Sequence, residues 1–318
     1  MGPEILCWNN ACERGEAAPF APRITQGLNM AQTSAISVVI VNYKTPDLTI
    51  RCVRSILDQK IAEPQAITVV DNRSGDNSLE KFATGLPEGV NVIASDRNAG
   101  FGAGINIGAA GLTSQYLLVL NPDTIFAYDS VIEIRRFMDQ HQDVGIVGLD
   151  LVNPDGSRQY SARRFYSVLD IAARRVKLVG RLLGKRVERH LMMDAWSTKV
   201  PFDAEWVMGT GLVIRHDVFE RIGGMDERYF LYMEDVDLCA RVWGAGYRVV
   251  CCPGAQLIHD HQRSSAASPF SFAGRKHLES LMLFARLHRL PLVRSPGLEK
   301  FAGRDVSTVG SRVRPSTI

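Results

Sequence analysis

A regular alternation of short apolar runs with helix-like stretches constrains the fold of this chain more than any other feature. Each run is short enough to be a buried strand, and the runs occupy residues 36–41, 67–70, 90–93, 116–120 and 144–147. After the first run, Thr45 and Pro46 supply an N-cap and a proline at the first helical position, which predicts a helix to about residue 59. Strands that alternate with helices predict an α/β fold with a mostly parallel central sheet, helices on both faces and a Rossmann-like nucleotide-binding half.

The second half of the chain is less regular. Its strand-like and helix-like patterns occupy residues 206–214, 234–245, 248–258 and 273–290. We expect one main domain over residues 36–265. Residues 1–35 are expected to be a disordered extension or a non-native start, because they lack both periodicity and the apolar core of a signal peptide. Residues 266–318 are expected to form a basic helix and a disordered tail.

A basic amphipathic insertion is predicted at residues 163–190, where Lys and Arg alternate with aliphatic side chains. Such a stretch suits the surface of an anionic membrane. The alternative is a solvated helix that packs on the main domain. A second basic helix follows at 275–290, and this favours the membrane interpretation.

Polar residues fall at the carboxyl ends of several predicted strands. These residues are Asn42, Asp71, Arg97, Asn98 and Asp123. Ligands of open α/β sheets bind beyond the carboxyl ends of the strands, so a binding site is predicted at this edge. Asp71 by itself is equally compatible with a turn in which its carboxylate bonds the following backbone.

The glycine-rich segment 100–108 is similar to a dinucleotide-binding loop, but its spacing differs from G-x-G-x-x-G. It also follows the third strand rather than the first. A Rossmann dehydrogenase is therefore disfavoured. Two interpretations stay open: the backbone approaches a ligand closely, or the glycines allow a tight turn and close helix packing.

Acidic residues in two places suggest a metal-assisted transfer reaction with a general base. Asp123 follows an apolar strand and can hold a divalent cation, which His259 and His261 can help to bind. The alternatives are a turn at residues 121–123 and structural histidines. Later, Glu234, Asp235 and Asp237 follow an aromatic run; they can supply a base or simply match the dipole of a helix N-terminus.

Composition excludes several function classes. The chain has 318 residues, 46% of them hydrophobic and 22% charged, as in globular proteins. The formal net charge is only +3, so we expect no nucleic-acid partner. No apolar run approaches the roughly 18 residues of a membrane-spanning helix. The six cysteines lack zinc-site spacing, which predicts free or buried thiols in a reducing cytoplasm.

These motifs, in this order, resemble the inverting family-2 glycosyltransferases with a GT-A fold, especially the bacterial rhamnosyltransferase-like branch. The resemblance covers about residues 36–265. The matching segments are residues 38–43, 70–76, 98–102, 120–123, 209–211, 223–227 and 230–237, followed by His259. Any one of these segments is weak by itself, whereas the ordered set is specific.

The resemblance implies a role for each matching residue. The implied donor-binding residues are Asn42, Tyr43, Asp71, Arg97, Asn98, Gly100, Asn121 and Asp123. The implied acceptor-binding residues are Gly209, Thr210, Gly211 and Tyr232. Asp123 and His259 would bind Mg²⁺ or Mn²⁺, and Asn121 stands where the family has the first Asp of its D-x-D element. Asp235 would be the base, with Glu234 as the alternative.

The resemblance also implies a reaction. A sugar, with L-rhamnose from dTDP-L-rhamnose as the best candidate, would be transferred with inversion onto a lipid-linked or polysaccharide acceptor in cell-wall or surface-glycan synthesis. The enzyme would be cytoplasmic and bound peripherally to the inner face of the plasma membrane; a homo-oligomer stays open. The alternatives are a nucleotidyltransferase acting on sugar phosphates and a catalytically decayed membrane scaffold. A nucleotidyltransferase usually has a glycine- and Arg/Lys-rich loop after the first strand, which this chain lacks.

Overall fold

The computed structural model describes residues 35–175, 181–260, 271–293 and 297–298. The strands are β1 Ile36–Asn42, β2 Ile67–Asp71, β3 Asn91–Ala94, β4 Tyr116–Leu120, β5 Thr124–Ile125, β6 Val144–Val152, β7 Ala162–Arg163, β8 Phe202–Asp203, β9 Trp206–Val207, β10 Gly211–Arg215 and β11 Arg248–His259. The helices are α1 Pro46–Asp58, α2 Ser78–Gly85, α3 Phe101–Ala109, α4 Val131–Gln140, α5 Val168–Arg175, α6 Gly184–His190, α7 Met193–Ser197, α8 His216–Arg221, α9 Glu234–Gly244 and α10 Phe272–His288.

The central sheet has the order β3-β2-β1-β4-β10-β6-β11-β5, with β8 beside β11. The first four strands of this order are mutually parallel, and β11 is parallel to β6. The predicted α/β fold with a mostly parallel sheet is therefore confirmed. Strand β10 lies antiparallel between β4 and β6 and was not predicted as such. Strands β2 and β3 are added on one side of β1, and β4 is added on its other side. The strand order therefore switches between β1 and β4, and ligands of such sheets bind at this switch point.

Both faces of the sheet are buried, as predicted. In β1, Val39 and Val41 belong to one apolar cluster, whereas Val38 and Ile40 belong to the cluster on the opposite face. Helices α3 and α9 contribute to the first cluster, and helices α1 and α4 contribute to the second. This two-sided burial explains why the strands appear in the sequence as continuous apolar runs rather than as alternating ones.

The glycine-rich segment forms helix α3, which packs closely on the sheet. A Cβ atom added at Gly108 would lie 2.5 Å from Val39 Cγ1, so only glycine lets the helix approach the strand this closely. The close-packing interpretation of this segment is thus seen in the structure. Contact between its first residues and a ligand stays a prediction.

One local expectation was wrong, and another was met only in part. Residues 206–214 are not one strand: β9 pairs with β7 in a separate small sheet, and residues 208–210 connect it to β10. Thr45 occupies the N-cap position of α1, but its hydroxyl makes no cap. It donates to Asn42 Oδ1 at 3.2 Å, because the end of β1 offers a buried acceptor there.

The described part of the basic insertion packs on the main domain. Phe165 and Tyr166 are buried in its core, and Arg186 Nε donates to the buried Asp170 Oδ1 at 2.6 Å. Among the residues described, no helix combines the length and apolarity that a bilayer crossing needs. Predictions for residues 1–34, 176–180, 261–270, 294–296 and the tail beyond 298 lie outside the described residues. Cys52, Cys239, Cys251 and Cys252 are free and buried.

Candidate active site

The carboxyl ends of β1 and β2 are tied together by buried hydrogen bonds. Asn42 Nδ2 donates to Asp71 Oδ1 at 2.7 Å and to Ser74 Oγ at 3.1 Å. Asp71 Oδ2 accepts from the Ser74 N–H at 3.0 Å, and Asn42 Oδ1 accepts from the hydroxyls of Thr45 and Thr49. The contacts seen at Asp71 are therefore those of the turn alternative. Donor contacts by Asn42 and Asp71 stay predictions, and both side chains hold this edge in place.

The next strand end is joined to the same network. Asn72 Nδ2 donates to Asn98 Oδ1 at 3.1 Å and to the Gly100 carbonyl at 2.9 Å. The Gly100 N–H donates to Asn98 Oδ1 at 3.1 Å. Gly100 has a φ of +99°, and an added Cβ would overlap the Phe230 carbonyl oxygen. This glycine thus lets the aromatic run before the acidic helix approach the carboxyl edge of the sheet.

Two predicted donor residues are exposed at this edge. Tyr43 is 46% exposed, and the Lys44 ammonium lies 5.3 Å from the centroid of its ring. Arg97 follows β3 and is also exposed. An aromatic ring and a guanidinium at a strand edge can stack on a base and pair with phosphate.

Asp123 and His259 face each other across the ends of β4 and β11. His259 Nε2 lies 3.4 Å from Asp123 Oδ2, and His259 is buried. Asp123 Oδ1 is also buried and has no hydrogen-bond partner among the described residues. An orphaned carboxylate oxygen beside an imidazole fits a divalent cation. Within the described ranges, no group of three or more His, Cys, Asp or Glu residues could hold a metal ion by itself.

Asn121 connects the cation position to β10. Its N–H donates to the Thr210 carbonyl at 2.9 Å, and its side-chain Nδ2 lies 3.5 Å from Thr210 Oγ1. Its own carbonyl accepts from the Thr124 hydroxyl at 2.8 Å. The segment 121–123 is thus a turn that is fixed on both sides, and it holds the Asp123 carboxylate next to His259.

Asp235 lies beside the loop that precedes β10. Its Oδ2 accepts from the Gly209 N–H at 3.0 Å, and its Oδ1 accepts from the Val236 N–H at 2.8 Å. Gly209 is adjacent to Thr210, which bonds Asn121. A short stretch of backbone therefore joins the base candidate to the cation position, and the two acidic motifs meet at one edge.

Glu234 differs from Asp235 in its hydrogen bonding. Its Oε2 is buried without a partner among the described residues. Burial, and next the charge of Asp235, raise the pKa of Glu234 to about 8. Burial also raises the pKa of Asp235, but the N–H groups of Gly209 and Val236 oppose this. The two backbone N–H groups thus favour the ionised form of Asp235, whereas burial favours the neutral form of Glu234.

The third acid, Asp237, is fully committed to structure. Its Oδ2 accepts from Arg241 Nε at 2.7 Å. Arg241 Nη1 in turn donates to the carbonyls of Ile222 at 2.9 Å and Gly224 at 2.7 Å. This ion pair fastens the turn before the aromatic run to helix α9, so Asp237 is unsuited to accept a proton from substrate.

The predicted acceptor residues are divided between two surfaces. Gly209, Thr210 and Gly211 are buried beside Asp235 and Asn121. Tyr232 is partly exposed, and its ring centroid lies 4.6 Å from that of His277 in α10. Helix α10 therefore forms one wall beside the acidic motif.

Two residues of the site were not predicted. Gln159 bonds His259, and the positive charge of Arg163 partly opposes the rise that burial causes in the pKa of Asp235. The segment 153–156, Asn-Pro-Asp-Gly, is a recognisable turn signal that predicts a chain reversal before Gln159. Nothing local in the sequence indicates that the reversal ends beside His259.

Known families match this chain over both halves of the site. A family model described as glycosyl transferase family 2 matches residues 37–211, more than half of the chain. The chain belongs to glycosyltransferase family 2. A second model, described as the N-terminal domain of galactosyltransferase, matches residues 189–262. The family 2 match contains Asp123, and the second match contains Asp235 and His259.

Rhamnosyltransferases are among the relatives of this family 2 glycosyltransferase. It is 27% identical over 271 residues to N-acetylglucosaminyl-diphospho-decaprenol L-rhamnosyltransferase of Mycobacterium tuberculosis, a match that covers 80% of this chain and 86% of that protein. It is 26% identical over 264 residues to rhamnosyltransferase WbbL of Escherichia coli, covering 80% and 94%. The predicted resemblance to the rhamnosyltransferase-like branch is confirmed.

A solved structure shares the fold of this glycosyltransferase. The structure of GalNAc-T7 with UDP, GalNAc and Mn²⁺ superposes with a TM-score of 0.55 at 16% identity. The superposition covers 87% of this chain and 53% of that one. The predicted GT-A fold is confirmed.

Proposed function

We propose that this glycosyltransferase transfers L-rhamnose from dTDP-L-rhamnose, with inversion, onto a hydroxyl of a lipid-linked sugar in cell-wall or surface-glycan synthesis. Both relatives described above are named as rhamnosyltransferases, and the mycobacterial one is named for a diphospho-decaprenol acceptor. The observation that carries the proposal is the joining of Asp235 to the Asp123–His259 pair through residues 209–210 and Asn121. The family is one of glycosyltransferases, which argues against the nucleotidyltransferase alternative.

On the donor side, Asp123 and His259 would hold Mg²⁺ or Mn²⁺ together with the donor diphosphate. The ion supplies positive charge that neutralises the diphosphate as it leaves. Tyr43, Arg97, Asn98 and Gly100 line the edge on which the nucleotide would lie, while Asn42 and Asp71 keep that edge rigid. Because Asn121 replaces a carboxylate of the family pattern, the site has one negative charge fewer.

On the acceptor side, Asp235 takes the proton of the attacking hydroxyl. The acceptor oxygen forms its bond to the anomeric carbon as the bond to the diphosphate breaks, which inverts that carbon. Asp235 is suited to this role because two backbone N–H groups orient its ionised carboxylate. The acceptor would lie against residues 209–211 and Tyr232. Glu234 keeps its proton and adds no second charge.

The donor is tested by calorimetric titration of the full chain with Mn²⁺ and then with chelator. The panel contains dTDP-rhamnose, UDP-glucose, UDP-galactose, UDP-GlcNAc and GDP-mannose. We expect binding of dTDP-rhamnose that the chelator abolishes. Tighter binding of another donor would overturn the rhamnose assignment, and binding that the chelator leaves unchanged would overturn the metal dependence.

The base is tested by two substitutions at neighbouring positions. Asp235→Asn should lower turnover by about 10²–10⁴-fold while donor affinity is retained, because a positioned base contributes about that much. Glu234→Gln should lower turnover less, because glutamine mimics the protonated carboxyl. The reverse order would identify Glu234 as the base.

We also propose that α10 brings the enzyme to an anionic membrane surface. Phe272, Leu278 and Met282 are 57%, 57% and 56% exposed, and they lie on one face of the helix. Arg275 and Arg286 are exposed on the same face. Apolar side chains interleaved with arginine suit the headgroup region of an anionic bilayer. The enzyme would then work at the cytoplasmic face, where a lipid-linked acceptor is presented.

The membrane role is tested by co-sedimentation with vesicles of zwitterionic phospholipid, alone or mixed with anionic phospholipid. Replacing Phe272, Leu278 and Met282 by serine should abolish binding to anionic vesicles. A matched control replaces the exposed Leu79 and Val92, which are 44% and 41% exposed and lie in the first half of the chain. Equal binding of both variants would overturn this role. Deleting residues 163–190 is unsuitable, since Phe165 and Tyr166 belong to the core.

A further inference from the structure

Gln159 makes three hydrogen bonds that fix its orientation. Its Nε2 donates to the His259 backbone carbonyl at 2.9 Å and to Asn153 Oδ1 at 2.6 Å. A carbonyl oxygen only accepts, so the nitrogen of the Gln159 amide must face it. The amide oxygen, Oε1, then faces His259 Nδ1 at 2.7 Å. The orientation of this side chain is thus determined by its partners.

The orientation of Gln159 determines the proton of His259. Since Oε1 only accepts, Nδ1 of the neutral imidazole must carry the ring proton. The lone pair of Nε2 then points toward Asp123 Oδ2 at 3.4 Å. Two acceptor atoms face each other there, and the orphaned Asp123 Oδ1 belongs to the same carboxylate. Such a convergence of electron pairs is unfavourable unless a proton or a metal cation lies between them.

We infer that Gln159 is the positioning residue of the cation site: it locks His259 in the Nδ1–H tautomer, so that Nε2 is directed at the ion beside Asp123. This inference rests on the proposed cation site and names a further residue of it. Ligating histidines commonly donate their second N–H to an acceptor, which fixes the tautomer and raises ligand basicity. Here an amide oxygen supplies that acceptor.

The turn after β6 delivers Gln159 to this position. The Gly156 N–H donates to the Asn153 carbonyl at 2.8 Å, which closes the turn. The Gln159 N–H then donates to the Leu151 carbonyl at 2.8 Å, and the chain returns along β6. Because β11 is parallel to β6, its last residue, His259, lies beside this returning segment. The position of Gln159 is therefore set by its backbone bond to Leu151 and by its side-chain bond to the His259 carbonyl.

The test measures Mn²⁺ affinity of the full chain by electron paramagnetic resonance of free Mn²⁺, in the presence of dTDP. Gln159→Met removes every side-chain hydrogen bond at similar length and should weaken Mn²⁺ binding by about 10–100-fold. Gln159→Glu keeps an oxygen that accepts from Nδ1–H and should stay within about threefold of the wild type. A merely structural role predicts the opposite order, since a carboxylate would repel the two oxygens that Nε2 now bonds. Gln142→Met, on the exposed surface, is the control.

A second readout follows the tautomer itself. The tautomer is read from nuclear magnetic resonance spectra of metal-free protein with ¹⁵N-labelled histidine at pH 8. In the wild type, His259 should be protonated on Nδ1. In Gln159→Met, the tautomer of His259 should shift toward Nε2–H. Unchanged Mn²⁺ affinity and tautomer in Gln159→Met would overturn the inference while leaving the cation site intact. A wild type that binds no Mn²⁺ would overturn the cation site as well. A wild-type ring protonated on both nitrogens at pH 8 would also contradict the inference.

Discussion

His288 Nε2 lies 2.7 Å from Asp237 Oδ1, and this contact joins α10 to the acidic helix α9. The other oxygen of Asp237 accepts from Arg241. Burial alone would raise the pKa of Asp237, but the charge of Arg241 and the hydrogen bond from His288 outweigh burial, and the pKa lies below its ordinary value of 3.8. This buried carboxylate thus helps to hold α10 beside the site.

Removing the charge of Asp237 should destabilise the fold. We expect Asp237→Asn to lower the free energy of unfolding at pH 7 by about 3–5 kcal/mol, because it leaves a buried cation unpaired. A lowered folded pKa means that this stability is present above pH 3.8 and is lost as the pH falls through the folded pKa. Urea unfolding at pH 7 and pH 3 measures this difference. The control is Asp47→Asn, whose exposed bridge to Lys81 should contribute about 1 kcal/mol or less. Equal losses in both variants would contradict the prediction.

Glu234→Gln should stabilise the protein at neutral pH. The folded pKa of Glu234 is raised to about 8 from 4.5, so folding loses stability as the pH rises between these values. Glutamine removes this loss and should raise the free energy of unfolding at pH 7 by on the order of 3 kcal/mol, at about 1.4 kcal/mol per pH unit. Below pH 4.5 the two proteins should unfold at the same urea concentration. A variant no more stable than the wild type at pH 7 would show that Glu234 is ionised there.

Asn121→Asp should strengthen cation binding. The substitution restores a carboxylate that the family pattern contains, next to the Asp123–His259 pair. We expect Mn²⁺ affinity in the presence of dTDP to rise by about tenfold, because one additional charge–charge attraction of about 1.4 kcal/mol is gained. Calorimetric titration measures this change. The same substitution is then made in a protein that also carries Asp123→Ala. If Asn121→Asp raises the Mn²⁺ affinity there as well, the ion binds elsewhere.

Gly100→Ala should destabilise the fold more than another glycine substitution at positive φ. Gly100 (φ +99°) would place a Cβ against the Phe230 carbonyl, whereas Gly111 (φ +77°) has open space around it. We expect Gly111→Ala to cost about 1 kcal/mol from backbone strain alone, and Gly100→Ala to cost at least about 2 kcal/mol more. Urea unfolding measures the free energy of unfolding of both variants, and the difference between their losses gives the cost of the overlap with the Phe230 carbonyl. Equal costs would mean that the aromatic run can move away from the sheet edge.

The alternation of apolar runs was sufficient to predict the α/β fold and the edge where the site lies. Val38 to Val41 and Leu117 to Leu120 are buried on both faces, so their hydrophobicity is continuous in the sequence and needs no tertiary information to interpret. Asp123 was predicted because it follows the strand-like run 116–120, and Asp235 because it belongs to an acidic cluster that opens a predicted helix. The antiparallel placement of β10 was not predictable, since its apolar pattern is the same in either direction.

The sequence alone determined the sheet, the two acidic motifs and the family. Only the tertiary structure decided the environment of each acid: Asp235 accepts from two backbone N–H groups, Glu234 Oε2 is buried without a partner among the described residues, and Asp237 is paired with Arg241 and His288. Gly209 lies 26 residues from Asp235 along the chain, and His288 lies 51 residues from Asp237. The protonation of a carboxylate depends on burial and on neighbours in space, and neither is a property of local sequence.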